Sequence, residues 1–101
     1  MKENINKRIP KLPGIYKFIN QQNKIIYVGK SKNLHNRVRS YFNKNQINRK
    51  VAKMVNEINQ ISYIISENEH DALLLENNLI KEIKPKYNIL LRDDKTFPYI
   101  V

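Results

Sequence analysis

The only two glycines of the chain, Gly14 and Gly29, stand at the outer ends of two short β-rich runs. One is Ile15-Tyr16-Lys17-Phe18-Ile19 and the other Lys24-Ile25-Ile26-Tyr27-Val28. Both have the β-branched and aromatic composition of strands, and Asn20-Gln21-Gln22-Asn23 between them has turn composition, so the stretch predicts a β-hairpin. A turn centred between Gln21 and Gln22 puts Tyr16 directly opposite Tyr27, with both phenols on one face of the sheet. An odd-length loop would slip the pairing by one residue and part them. Tyrosines are ordinary strand residues, but a glycine near each one allows close approach of a ligand or another segment to the backbone.

The hairpin sets the frame for the rest. Leu34, Val38, Tyr41 and Phe42 recur at helical spacing and predict a helix over 33–42. Ile47, Val51, Val55 and Ile58 predict a second over 47–59, and Ser62-Tyr63-Ile64-Ile65-Ser66 reads as a third strand. The longest helix is expected from Glu69 to Lys84, with Asn68 as N-cap, acids in its first turn, lysines near its end and Pro85 as the stop. A turn follows at Arg92-Asp93-Asp94-Lys95, then a short extended piece. The order β-β-α-α-β-α predicts a small α+β domain. At 101 residues there is room for one core only. Residues 1–11 read as a loosely held basic segment and 12–101 as the domain. The close on Pro98-Tyr99-Ile100-Val101 is expected of an N-terminal fragment of a longer multidomain protein.

Several classes fall away. The chain has no cysteine, which excludes a disulfide framework and thiolate metal sites and suits a reducing cytoplasm. No apolar run approaches the roughly 20 residues of a membrane helix, and the first residues lack the apolar stretch of a secretory signal. The net charge is +10, and it is unevenly spread. Residues 1–55 carry 14 Lys and Arg against the single acid Glu3, whereas residues 56–101 carry five against eight acids. A general lysine bias would not drain acids from one half alone, so the first half is expected to present an electropositive surface to a polyanion.

Two features add chemistry. On a helical wheel with Ala72 at 0°, Ile83 falls at about 20°, Leu79 at about 340°, Leu75 at about 300°, Ile80 at about 80° and Leu73 at about 100°. Glu76 falls at about 40°, inside this apolar stripe, where a carboxylate is costly unless paired, hydrogen-bonded or bound to a metal. It can serve an internal ion pair with Arg or Lys, or hold a hard cation whose other ligands are water and phosphate oxygens. On the 33–42 helix Arg37 lies beside the apolar stripe, positioned to reach into a cleft, and Arg39 lies clear of it. Arginine can grip two phosphate oxygens at once. Lys30 and Lys32 follow Tyr27 closely, and Arg49, Lys50 and Lys53 line the solvent side of the second helix as contacts for a phosphate backbone. His35 and His70, without partners at metal-ligand spacing, read as surface residues.

Gly14-Ile15-Tyr16 with Tyr27-Val28-Gly29 resembles the signature of the GIY-YIG nucleases, Val28 standing where the second triplet usually has Ile. YVGKSKNLHNRVRSYF over 27–42, LLLENNLIK over 73–81, KPKYN over 84–88 and LLRDDKTFPYI over 90–100 narrow the resemblance to the N-terminal domains of UvrC. It covers nearly the whole chain from Lys11 onward. The resemblance implies a small three-stranded antiparallel sheet flanked by helices. It also implies a metal-dependent endonuclease that cuts damaged double-stranded DNA on the 3′ side of a lesion, once UvrB is loaded with the help of UvrA. Such a domain is expected to be cytoplasmic and monomeric, without a membrane partner. Glu76 matches the metal-binding glutamate, for Mg²⁺ or Mn²⁺. Tyr27 matches the proposed general base and Tyr16 its partner tyrosine. Lys30 and Arg37 match basic residues near tyrosine and phosphate, and Tyr41 and Asn88 match further positions around the site. Positive charge from Lys30 and the metal is expected to lower the pKa of Tyr27. The alternatives are a non-catalytic nucleic-acid binding module and a homing- or restriction-type GIY-YIG nuclease.

Overall fold

The computed structural model describes residues 3–5, 8–42 and 48–92. Its central strand, β2 (Gly14–Ile19), is buried along its whole length, because it is covered on both edges and both faces. It pairs antiparallel with β3 (Ile25–Ser31) on one side and β4 (Gln60–Ile65) on the other. These are the three strands expected, and β1 (Glu3–Ile5) extends the sheet beyond β4, giving the order β1-β4-β2-β3. That short strand comes from the segment expected to be loosely held. At the other edge β3 is the outermost strand, which matters for the site.

The hairpin register differs from the one expected. Tyr16 stands opposite Gly29 and Phe18 opposite Tyr27. The loop between the paired Ile19 and Ile25 spans 20–24 and is odd, closed by the Asn20 N–H donating to the Lys24 carbonyl at 2.9 Å, with Asn23 left-handed at φ 63°. That loop slips the pairing by one residue, and a bulge between Phe18 and Ile19 slips it by one more. The two slips restore parity. Tyr16 and Tyr27 are therefore diagonal neighbours on one face, with ring centroids 6.1 Å apart.

Three helices open on asparagine caps. Helix α1 (Leu34–Tyr41) is capped by the Asn33 side chain, which accepts from the Asn36 N–H, and it buries Leu34, Val38 and Tyr41. Helix α2 (Arg49–Glu57) is capped by Asn48 and buries Val51 and Met54. Helix α3 (Glu69–Ile83) is capped by Asn68, whose Oδ1 accepts from the Asp71 N–H at 2.8 Å. Its last turn closes on Lys84, left-handed at φ 52°. Only Ala72 of α3 is fully buried; Leu75, Glu76, Leu79, Ile80 and Ile83 are half-buried and Leu73 is exposed, so the stripe is shallower and narrower than the wheel implied.

A fourth helix, α4 (Lys86–Arg92), was not expected. Pro85 stops α3 as anticipated, but a proline just ahead of a helix costs no bond, and the Pro85 carbonyl accepts from the Ile89 N–H at 3.4 Å. Through Tyr87 and Leu91, α4 joins the core formed by Tyr16, Phe18, Leu34, Met54 and Tyr63. The turn expected at Asp93–Lys95 and the extended piece after it lie outside the described residues. No helix among the described residues is long and apolar enough to cross a membrane.

Candidate active site on β3

The two glycines are where they are because side chains would not fit. A Cβ at Gly14 would collide with the Ile64 carbonyl across the sheet, and one at Gly29 with the Tyr16 hydroxyl and ring. The close approach is thus by other segments of the chain itself. At Gly29 it lets the Tyr16 phenol lie across β3.

Around that gap Tyr16, Phe18, Tyr27 and Tyr41 form one aromatic cluster. Phe18 meets Tyr41 edge-on at 5.1 Å, and Tyr27 lies 6.0 Å from Phe18 and 6.1 Å from Tyr41. The Tyr16 and Tyr41 hydroxyls are hydrogen-bonded at 2.7 Å in a buried setting. Arg37, one turn before Tyr41 on α1, is half-buried against this cluster. Its Nε–H points to the Tyr16 hydroxyl at 3.4 Å, and its guanidinium carbon lies 5.5 Å from the centre of the Tyr41 ring. Arg39 is exposed. The wheel separated the two arginines correctly.

Glu76 approaches from α3. It is half-buried, and the loss of water raises its pKa above the ordinary carboxylate value. The Lys30 charge, a hydrogen bond from the Lys30 backbone N–H and the Arg37 charge oppose that rise without cancelling it. Among the described residues no group of three or more His, Asp or Glu gathers in one place. Glu76 thus belongs to no such group, which suits a hard cation that takes few protein ligands and fills its shell from water and phosphate.

The tyrosines carry a correction. Lys30 was expected to lower the pKa of Tyr27. Burial instead pushes it up, Tyr41 and Glu76 reinforce the rise, and only Arg37 opposes it. Lys30 acts on Glu76 rather than on the phenol. Tyr16 and Tyr41 are likewise raised, chiefly by burial. Burial works against the Arg37 charge, but the Tyr16 and Tyr41 oxygens outweigh it and raise the guanidinium's pKa.

Asn88 sits on α4 and does not touch the cluster. Its Oδ1 accepts from the Val28 N–H and its Nδ2–H donates to the Val28 carbonyl, both at 2.8 Å. One amide side chain thus pairs with the free edge of β3 as a neighbouring strand would, between Tyr27 and Gly29. The α4 helix is itself tied to α2 by the Tyr87 hydroxyl, which donates to Glu57 Oε2. Burial and the Glu57 carboxylate push Tyr87 up to about 12. Neither tie has a signal in the sequence, since each joins residues remote along the chain.

The remaining cations lie outside the cluster. Lys32 pairs with Glu69 at 3.2 Å on the surface. Arg49, Lys50 and Lys53 are exposed on α2, where the Lys50 ammonium also reaches the Leu90 carbonyl at 3.4 Å. His70 is exposed, but His35 is half-buried, with Nδ1 bonded to the Ile9 carbonyl at 3.1 Å, and serves to hold the segment before β2.

A half-buried carboxylate, an arginine and three tyrosines thus gather on one antiparallel sheet. The model of the UvrC-like GIY-YIG domain matches residues 12–89. UvrABC system protein C of Nautilia profundicola is 50% identical over 100 residues, covering 93% of this chain and 16% of that protein. Its counterpart in Chlorobium phaeobacteroides is 56% identical over 94 residues, covering 92% of this chain and 15% of that protein. Among solved structures, the GIY-YIG N-terminal endonuclease domain of UvrC from Thermotoga maritima, bound to its catalytic divalent cation, magnesium, superposes with a TM-score of 0.70 at 43% identity. That match covers 78% of this chain and 85% of the other. The chain belongs to the family of UvrC-like GIY-YIG endonuclease domains. It spans about one sixth of the length of the curated relatives it matches.

Proposed function

We propose that this domain makes the 3′ incision in nucleotide excision repair, hydrolysing one phosphodiester of damaged double-stranded DNA in the cytoplasm, with UvrB as partner and UvrA acting upstream. The observation that carries the reading is the position of Glu76, a half-buried carboxylate against Lys30 and Arg37 at the edge of the tyrosine cluster.

Glu76 would hold a single Mg²⁺ or Mn²⁺, which supplies Lewis-acid polarisation of the phosphoryl oxygen and screens charge on the leaving oxygen. Arg37 is fixed against Tyr16 and Tyr41 and offers a guanidinium to the charge that builds on phosphorus. Tyr27 takes the proton of the attacking water. Its half-buried phenol holds its own proton firmly, so it accepts the water's proton only after giving its own up to solvent, a loss that positive charge near Glu76 would favour. Tyr16 and Tyr41, joined through their hydroxyls, orient water or phosphate, while Lys30 favours the charged form of Glu76. Asn88 positions β3, and Lys32, Arg39, Arg49, Lys50 and Lys53 hold the backbone of the duplex.

The test is incision of a lesion-bearing duplex preloaded with UvrB, by the full-length parent protein carrying Glu76→Ala or Arg37→Ala. Each substitution is expected to abolish the 3′ cut while the variant still binds DNA. Normal 3′ cutting by either variant would refute the assignment.

A further inference from the structure

Glu76 stands by Lys30 at one end of β3. At its other end is an open cleft of about 550 Å³, between the β2–β3 loop and the α3–α4 junction. Lys24, Lys84 and Lys86 line it, with Asn20 and Asn23, over an apolar floor that includes Ile26 and Ile83. We infer that this cleft is a second phosphate subsite, which grips the DNA backbone a few nucleotides from the bond that is cut.

Charge is the first argument. No carboxylate lines the cleft. Glu57 pairs with the Lys86 ammonium at 3.6 Å from the α2 side, which leaves Lys24 and Lys84 without an ion-pair partner among the described residues. The C-terminal end of α3 brings about half a negative charge to this place, which the ammonium groups of Lys24 and Lys84 outweigh. Asn20 spends its Oδ1 on the Gln22 and Lys24 amides, at 3.0 and 2.9 Å, so its Nδ2 hydrogens are not used in the turn.

Backbone conformation is the second. Among the described residues only Asn23 and Lys84 combine a positive φ with a side chain, and both line this cleft. Asparagine takes that conformation readily, lysine does not, and the position after a helix is where glycine is usual. A lysine at residue 84 keeps an ammonium where helix termination alone would favour none.

Place is the third. Ile83 is seven residues from Glu76, about 10 Å along α3, and Ile25 is five residues from Lys30, about 17 Å along β3. One DNA strand carries a phosphate about every 3.4 Å of helix axis, so that separation spans roughly three to five nucleotides. A backbone whose scissile phosphate meets Glu76 can therefore also meet the cleft.

The inference rests on the DNA-cutting reading above, and the experiment separates the two. Binding of this chain to a fluorescent duplex is followed by anisotropy over a range of salt, for Lys84→Gly, Lys24→Gln and, for comparison, Lys81→Gln. Lys81 is exposed on the last turn of α3 and does not line the cleft. Glycine accepts the left-handed conformation at residue 84, so that variant keeps its fold. Lys84→Gly and Lys24→Gln are each expected to lower the slope of log affinity against log salt by about one, and affinity severalfold at low salt, while Lys81→Gln leaves the slope unchanged. The same differences are expected with Glu76→Gln in the background, because the cleft does not use that carboxylate. Slopes no different from that of Lys81→Gln would overturn the cleft and leave the catalytic reading standing. Loss of catalytic dependence on Glu76 with the slope differences intact would do the reverse. Failure of the unaltered chain to bind duplex would overturn the cleft.

Discussion

The hydroxyls of Tyr16 and Tyr41 lie 2.7 Å apart, joining the central strand to the last turn of α1 within the core. Tyr16 is fully buried and Tyr41 nearly so. The other polar neighbour of Tyr16 is the Arg37 Nε at 3.4 Å, too long to replace the bond. Removing the Tyr41 hydroxyl therefore strips the Tyr16 phenol of its good partner. Tyr41→Phe is expected to cost about 1 kcal/mol of stability, read as a lower denaturant midpoint at unchanged m-value. Strand cleavage by the parent protein is expected to slow about tenfold, equivalent to about 1.4 kcal/mol, as the hydroxyl pair beside Tyr27 is broken.

Asn88 gives a prediction of a different kind, because it reaches the site only through the backbone. In Asn88→Ala the Val28 N–H and carbonyl both lose their partners. Val28 is fully buried, so a cost of about 2–3 kcal/mol is expected for the two bonds. Amide exchange at Val28 should rise well above that of its neighbours in β2. Cation affinity at Glu76 should fall far less than cleavage, since Asn88 offers the cation nothing. Unchanged exchange at Val28 would remove Asn88 from the positioning of β3.

The folded state raises the pKa of Glu76 above its ordinary value of about 4.5, and the sign of the consequence follows. A carboxyl that binds its proton more tightly when folded loses stability as pH rises through the interval between its unfolded and folded pKa values, and the deficit persists above it. Without metal, Glu76→Gln is therefore expected to be more stable than the unaltered chain at pH 7, with the difference vanishing below about pH 4. Addition of Mg²⁺ reverses the order. The unaltered chain gains about 2.7 kcal/mol at a hundred times its dissociation constant, and the Gln variant gains nothing. Thermal melts with EDTA and with Mg²⁺ at pH 4 and pH 7 check all four corners.

The three main strands and three of the helices were legible because their cues are local. Asn68, Pro85 and the runs around Tyr16, Tyr27 and Tyr63 act within a few residues of themselves. The hairpin register was not, because an odd loop and a bulge each slip the pairing by one residue, and neither leaves a composition mark. Opposition of Tyr16 and Tyr27 failed for that reason, yet their shared face survived, since faces depend only on parity. Helix α4 went unseen because Pro85 reads as a stop and its seven residues are too few for a periodic pattern. At the site, the exceptional position of Glu76 was visible on a wheel. The environment of Tyr27 was not, because its burial and its Tyr41 neighbour come from α1 packing across the sheet.

The central claim is that Glu76 holds the cation of a phosphodiester-cutting site. Anomalous scattering from a crystal of this chain soaked in Mn²⁺ measures it directly. A single strong peak within about 2.2 Å of a Glu76 carboxylate oxygen, beside Tyr27 and Arg37 and absent from a Glu76→Gln crystal, is the result predicted. Saturating Mn²⁺ with no peak at Glu76, or a peak that persists in the Gln variant, would contradict it.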